Sequence, residues 1–192
     1  LVTILYFAYA GQCWNIMMGF AGQLSLGHAL YIGLGAYVTA ALYVKFGISP
    51  WIGLFPALAI SGAVGAVIGF LAFRFGVSGV YFAILTIAFA EFARIGFDHF
   101  TWVGGSGGFF LPVATYTQND FFNLRGSQKM FYYILLAMTV GAFILCHLLL
   151  RSRAGYYWLA IRESLKAAKE LGINIFRYKM YAVVLSAALT SL

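Results

Sequence analysis

The chain has 192 residues, of which 63% are hydrophobic and 9% are charged, and its 12 basic against 5 acidic side chains give a net charge of +7. A soluble globular protein carries about 25% charged residues, so this chain has too little polar surface to coat a water-soluble fold. The composition therefore excludes a soluble domain and predicts an all-α, polytopic transmembrane helix bundle whose excess apolar surface faces lipid.

Apolar runs long enough to cross a bilayer recur along the chain. A spanning helix needs about 20 predominantly apolar residues, and the pattern predicts about six spans. They are Leu1–Phe20, Leu24–Val44, Trp51–Phe73, Val77–Phe97, Lys129–Leu150 and a run that starts near Met180. Because the chain begins and stops inside apolar runs, we expect residues 1-192 to be one transmembrane domain of a longer protein, with further spans after it.

The first polar side chains that interrupt these spans are Gln12 and Asn15, three residues apart in the first run. Uncharged polar groups at membrane depth are expected to face other helices and not lipid. They are candidates for a translocation path, and they could equally make interhelical hydrogen bonds.

The segment Gly19–Gly35 combines glycines with Gln23, Ser25 and His28 between two apolar runs. Breaks in a helix at membrane depth are tolerated where the backbone is covered by protein or lines a wet cavity, and broken helices often form the binding region of transporters. The segment therefore predicts a broken helix on a translocation path. The alternative is a plain cytoplasmic turn in which Gln23 and Ser25 cap the next helix, with Ser25 as its N-cap.

Small residues recur at helical spacing in two spans. Ser61, Gly65 and Gly69 fall on one face of the third predicted span, and Ala29 and Gly33 repeat the spacing in the second. Such a pattern lets two helix backbones approach closely in lipid. We interpret both sets as packing surfaces of a compact bundle.

Glu91 is a single acid in an apolar run. Ionisable groups inside a membrane are functional candidates by default, so Glu91 is a candidate residue of the translocation path. Arg94 lies one turn further on, where an ion pair forms easily, and we favour a structural pair.

A long external link, residues 99–128, contains the glycine-rich run Gly104, Gly105, Gly107 and Gly108. A flexible linker is one interpretation of such a run. A tight turn whose backbone amides line an outer vestibule is the other.

Basic residues are concentrated in Arg151–Lys179, which contains seven of the twelve. The positive-inside rule places such a loop in the cytoplasm. Counting spans puts Arg74 on the same side, and Lys45, Arg125 and Lys129 outside. The net charge is thus explained by membrane topology, and no nucleic-acid partner is expected.

Within this loop, Tyr156–Leu171 has apolar residues at steps of three or four, which predicts one amphipathic helix. Gly172 is expected to end it and Asn174 to begin the next turn. The helix could lie among lipid headgroups or dock in the groove of a soluble partner.

Several segments in the same order resemble the branched-chain amino acid permeases of ABC importers, of the LivM type. They are Gly22–His28, Tyr81–Thr86 with Glu91, Gly104–Gly108, Ala160–Glu163, Ala167-Ala168 and Leu171–Asn174. The last three resemble the loop that couples such permeases to their ATPases. One departure is Lys166, which stands where the general importer motif has Glu; Glu163 is an acid one turn earlier.

The resemblance implies a permease subunit in the inner or plasma membrane, which is not itself an enzyme. Its partners would be ATPase subunits, a second permease, an external substrate-binding protein and membrane lipid. The implied contacts with the ATPase are Ala160, Arg162, Glu163, Ala167, Ala168, Leu171, Gly172 and Asn174. Leucine, isoleucine and valine are the implied substrates, with urea or short amides as the alternative.

The sequence contains no GxxxxGK[ST] motif, so the chain itself is not expected to bind ATP, which would act through the partner subunits. No metal-ligand spacing occurs among the three histidines, and we expect no metal or cofactor. A self-sufficient channel or ion-coupled carrier, with Glu91 as its proton site, is the competing interpretation. A membrane scaffold would leave the broken segment without an explanation.

Overall fold

A computed structural model describes residues 1–100, 105, 121–122, 124 and 126–192. These residues form helices and no strand, which confirms the all-α, polytopic helix bundle. The helices are α1 Val2–Asn15, α2 His28–Phe46, α3 Pro50–Arg74, α4 Val80–His99, α5 Gln128–Arg151, α6 Arg153–Glu163, α7 Leu165–Glu170 and α8 Ile175–Thr190, and a π-helical turn, Ile16–Phe20, continues α1.

Four helices in the described part of the chain, α2 to α5, are long and apolar enough to cross a membrane. The chain is therefore a multi-pass membrane protein. The first predicted span is divided into α1 and the π turn, and the last begins at Ile175, five residues before the expected start at Met180. The total of six spans remains a prediction.

Helix α8 occupies the centre of the bundle, where it packs against α3 and also against α1 and α2. Its side chains Ala182, Val183 and Ala187 are fully buried. The predicted small-residue face of α3 makes this contact: a Cβ atom on Gly65 would lie 2.6 Å from the Cβ of Ala187. The close approach of α3 and α8 thus depends on the absence of a side chain at Gly65.

The second predicted small-residue face, on α2, does not pack in this way. Ala29 is exposed, and a Cβ on Gly33 would meet no atom within 4 Å. The close approach occurs instead at Gly35, where a Cβ would collide with the carbonyl oxygen of Ser191. The prediction was wrong by two residues, because the spacing alone does not say which face of α2 meets the bundle.

The basic loop folds as two helices where one was predicted. Ser164, with φ −155° and ψ 107°, is extended and separates α6 from α7, and its hydroxyl accepts a hydrogen bond from the backbone N–H of Ala167. A serine that caps a new helix competes with continuation of the old one, which explains the break. Gly172, at φ +75°, ends α7 as expected, and the side chain of Asn174 caps α8.

Candidate functional site

The helix break between the first two spans is the most unusual backbone feature of the described bundle. After the π turn the chain leaves helical geometry over residues 21–27, here called the break, and α2 begins at His28. Gly22 adopts φ +64°, a conformation that residues with a Cβ rarely take. The two polar side chains of the break are buried: Gln23 is 4% exposed and Ser25 is 1% exposed.

A chain of hydrogen bonds ties the break to two helices. His28 Nδ1 lies 3.2 Å from the hydroxyl of Ser25, and His28 Nε2 lies 3.0 Å from the hydroxyl of Ser186 on α8. Ser186 uses its proton to donate to the carbonyl oxygen of Cys13, at 2.7 Å. A hydroxyl has one proton, so Nε2 of His28 must carry the proton in its bond to Ser186. His28 therefore links the break, α8 and α1.

Both capping roles expected for the alternative, a plain turn, are wrong. Gly27 occupies the N-cap position of α2, and no side chain caps that helix. The Ser25 hydroxyl bonds the ring of His28 instead, because the ring folds back over the break. The Gln23 amide donates to the carbonyl oxygen of Ala21, and its Oε1 atom is buried without a partner in the described part of the chain.

Helix α4 closes one side of the break. The backbone N–H of Leu26 donates to the Thr86 hydroxyl at 3.2 Å, and that hydroxyl donates to the carbonyl oxygen of Ala83 at 2.8 Å. A Cβ atom on Gly27 would collide with the carbonyl oxygen of Thr86. Helix α4 therefore packs directly against the break, and the contact at Gly27 leaves no room for a side chain.

The two polar residues of α1 lie differently from each other. Gln12 is half-buried, and its Oε1 atom is enclosed without a partner among the described residues. Asn15 is exposed, so the expectation that it faces the bundle is wrong. It sits at the end of α1 alongside Gly19, four residues on, where its side chain occupies the space that a Cβ would need.

Glu91 does not join the break. Its carboxylate accepts hydrogen bonds from Arg94, the shorter at 2.6 Å, and Arg94 also donates to Asp98 at 3.1 Å. The side chains of Glu91 and Arg94 are 55% and 61% exposed. None of the described hydrogen bonds connects Glu91 to another helix. The ion pair with Arg94 is present, and its structural role stays a prediction.

The residues expected to contact an ATPase divide into inward and outward sets. Ala168 is 1% exposed and anchors α7, whereas Leu171 is 78% exposed; Ala160 is half-buried. The Arg162 side chain is 43% exposed, and it donates to the carbonyl oxygen of Gly19 at 2.6 Å, so it also contacts the π turn. The remaining members, all exposed, are Glu163, Ala167, Gly172 and Asn174.

Of the external glycine-rich run, Gly104, Gly107 and Gly108 lie outside the described residues. Gly105 has φ +54°, and its backbone N–H donates to the carbonyl oxygen of Phe100 at 3.2 Å. Among the described residues no three His, Cys, Asp or Glu side chains come together as metal ligands.

No sequence pattern predicted the cavity of about 800 Å³ that α1, α2, α3, α5 and α8 line. Small-molecule sites have volumes of roughly 300–1,000 Å³ and mostly apolar walls with a few polar groups. The walls here include Tyr6, Ala10, Ile32, Thr39 and Leu135. Because each helix contributes only isolated residues to it, no pattern along one helix could have revealed the cavity.

Comparison with known proteins gives consistent matches along the chain. The family described as "Branched-chain amino acid transport system / permease component" matches residues 1–192. The high-affinity branched-chain amino acid transport system permease proteins LivM of Salmonella typhimurium and Escherichia coli are each 30% identical over 97% of this chain and 48% of their own length. The chain thus spans about half the length of these curated relatives. No solved structure matches it.

Proposed function

The chain belongs to the family of permease components of branched-chain amino acid transport systems, and on that premise we propose that it is a permease subunit of an ATP-driven ABC importer. The observation that carries the proposal is the exposed helix α7. It is held at its N-terminus by Ser164, and a left-handed Gly172 ends it. A six-residue helix is unstable by itself. The cap at Ser164, the end at Gly172 and the buried Ala168 therefore hold α7 in a helical form whose other residues are accessible to a partner.

The outer face of α7 suits a protein partner. Leu165 and Leu171 are 44% and 78% exposed, and Lys166 and Lys169 lie exposed between them. Exposed leucines beside charged side chains fit the apolar groove of a soluble partner, with a polar rim around it. We assign that partner as an ATPase subunit, which supplies the ATP chemistry, and residues 151–179 as the cytoplasmic side of the inner or plasma membrane.

The remaining partners follow from the importer class. A second, similar permease completes the membrane part, a second ATPase binds its loop, and an external binding protein delivers the substrate. The substrates are leucine, isoleucine and valine, which the mostly apolar cavity lined by α1, α2, α3, α5 and α8 suits better than it suits urea or short amides.

Disulfide cross-linking tests the proposal. Ala167 is exposed and Ala168 is 1% exposed, so Ala167→Cys and Ala168→Cys form a matched pair on one turn of α7. Both are made in the full-length protein after Cys13 and Cys146 are replaced by alanine, and the complex is assembled with cysteines placed across the groove of the ATPase.

We expect Ala167→Cys to cross-link to the ATPase in a yield that changes with ATP, and Ala168→Cys to react weakly. An intact transporter in which neither position cross-links would contradict the docking of α7. Uptake of labelled leucine is then measured in proteoliposomes that contain the complex, binding protein and ATP. Inhibition of this uptake by excess isoleucine, but not by urea, would support the proposed substrate class. Uptake by the permease without an ATPase would refute the importer.

A further inference from the structure

Arg162 makes the only hydrogen bond between the basic loop and the π turn among the described residues. Its Nη1 atom donates to the carbonyl oxygen of Gly19 at 2.6 Å. Gly19 lies in the last turn of a helix that ends at Phe20, where carbonyls lack an intrahelical donor. The guanidinium supplies that donor, and its charge suits the negative end of the helix.

The stem of Arg162 packs on the break as well. A Cβ atom on Gly22 would lie 2.9 Å from Cγ of Arg162 and 3.4 Å from its Cβ. Glycine at this position therefore meets two requirements, a left-handed backbone and room for the arginine. The same side chain therefore contacts the π turn at Gly19 and the first part of the break at Gly22.

An apolar anchor holds the rest of α6 to the same region. Trp158 is 1% exposed and belongs to a buried cluster with Ile16, Phe20 and Ala182. Its Nε1 atom donates to the carbonyl oxygen of Tyr178 at 2.8 Å. Helix α6 therefore packs against the π turn and α8 as one unit, whereas α7 beyond Ser164 is exposed.

We infer that Arg162 is a positioning residue that ties α6 to the break, so that a displacement of the loop by the ATPase reaches residues 19–27. Its place in transport rests on the proposed importer function. The Arg162 side chain is 43% exposed, but its Nη1 atom is bonded to Gly19, so we assign it to the break and not to the partner surface.

Arginine suits this role because one planar group serves two acceptors. While Nη1 donates to Gly19, Nη2 donates to Oε1 of Glu163 at 2.8 Å. Lysine has a single point charge on a flexible stem and cannot hold a fixed fork of donors. The conservative variant Arg162→Lys is therefore expected to lose much of the effect.

The test compares Arg162→Ala and Arg162→Lys with Arg153→Ala, which removes the same charge from an exposed residue of the same helix. The variants are made in the full-length permease and assembled with its partners in proteoliposomes. Three quantities are measured: ATPase retained on purification, substrate uptake per ATP hydrolysed, and amide hydrogen exchange of residues 16–27.

We expect Arg162→Ala to retain the ATPase but to lower uptake per ATP by about tenfold, the scale of one lost hydrogen bond from a charged donor. Exchange in residues 16–27 should accelerate by a similar factor, Arg162→Lys should fall between, and Arg153→Ala should match the wild type. Loss of the ATPase from Arg162→Ala would overturn the inference, because Arg162 would then be a partner contact. Unchanged exchange and coupling would also overturn it.

The exchange measurement separates this inference from the importer proposal. The wild-type complex could import no substrate while Arg162→Ala still accelerates hydrogen exchange in the break. In that case the importer function fails, and the contact between α6 and the break stands. If Arg162→Ala does not fold, Arg162→Lys preserves the charge and the same comparison is made with it.

Discussion

The contact between α3 and α8 can be tested by adding one methyl group. In Gly65→Ala the new Cβ would lie 2.6 Å from the Cβ of Ala187, whereas carbon atoms pack best at about 3.5–4.0 Å. The two helices would have to separate by about 1 Å at this point. Because α8 also carries Ser186, which bonds His28, the displacement reaches the break.

Two opposing effects set the change in the free energy of unfolding that Gly65→Ala causes. Overpacking a filled contact costs about 1–3 kcal/mol, while replacing glycine by alanine inside a helix gains about 1 kcal/mol. We therefore expect Gly65→Ala to lower the free energy of unfolding by about 0–2 kcal/mol. Gly33→Ala gains the same helix preference without a clash, since nothing lies within 4 Å of its Cβ position.

Unfolding of the purified permease in mixed micelles of increasing SDS content, followed by circular dichroism, measures these differences. The pair Gly65→Ala and Ala187→Gly completes a double-mutant cycle, in which relief of the clash should appear as a coupling energy of about 1–3 kcal/mol. The reasoning is refuted if Gly65→Ala is as stable as Gly33→Ala, or if the cycle shows no coupling.

Three further changes probe the loop, the ion pair and the cavity. Ser164→Ala removes the cap of α7 and should cost about 1 kcal/mol; hydrogen exchange in α7 should accelerate, and Ser164→Asp should prevent this. Glu91→Gln should leave uptake and stability nearly unchanged, because the side chains of Glu91 and Arg94 are both more than half exposed and an exposed ion pair contributes little to stability; abolished uptake would favour the ion-coupled carrier. Ala10→Trp should fill the cavity and reduce uptake by roughly tenfold or more, while Ala8→Trp, on the exposed face of α1, should not; equal uptake by both variants would argue against a substrate path there.

The position of the break could be predicted from the sequence, but the contacts of its side chains could not. Glycines beside Gln23, Ser25 and His28 predicted an interruption between two apolar runs, and the interruption is present at residues 21–27. The partners of these side chains could not be predicted. The His28 ring meets Ser186, 158 residues away, and nothing local to either residue encodes that pairing.

In the basic loop, likewise, the local sequence predicted helical structure, whereas packing decided which way the side chains point. Charge bias, apolar spacing and Gly172 predicted a helical loop and the end of its helix from local propensities alone. Whether Arg162 bonds a partner or Gly19 depends on where α6 packs, and that is set by the burial of Trp158 against the π turn and α8.

Composition and periodicity by themselves determined the class of the protein, because the length and apolarity of a helix that crosses lipid are fixed by bilayer thickness and backbone hydrogen bonding. They also determined that α3 has a face for close packing. Only the tertiary structure decided that Gly35 and not Gly33 makes the close contact on α2, that Asn15 is exposed, and that a cavity opens between five helices. These features arise from residues distant in sequence, and the relative rotation and translation of helices that brings them together is a property of the whole packed bundle.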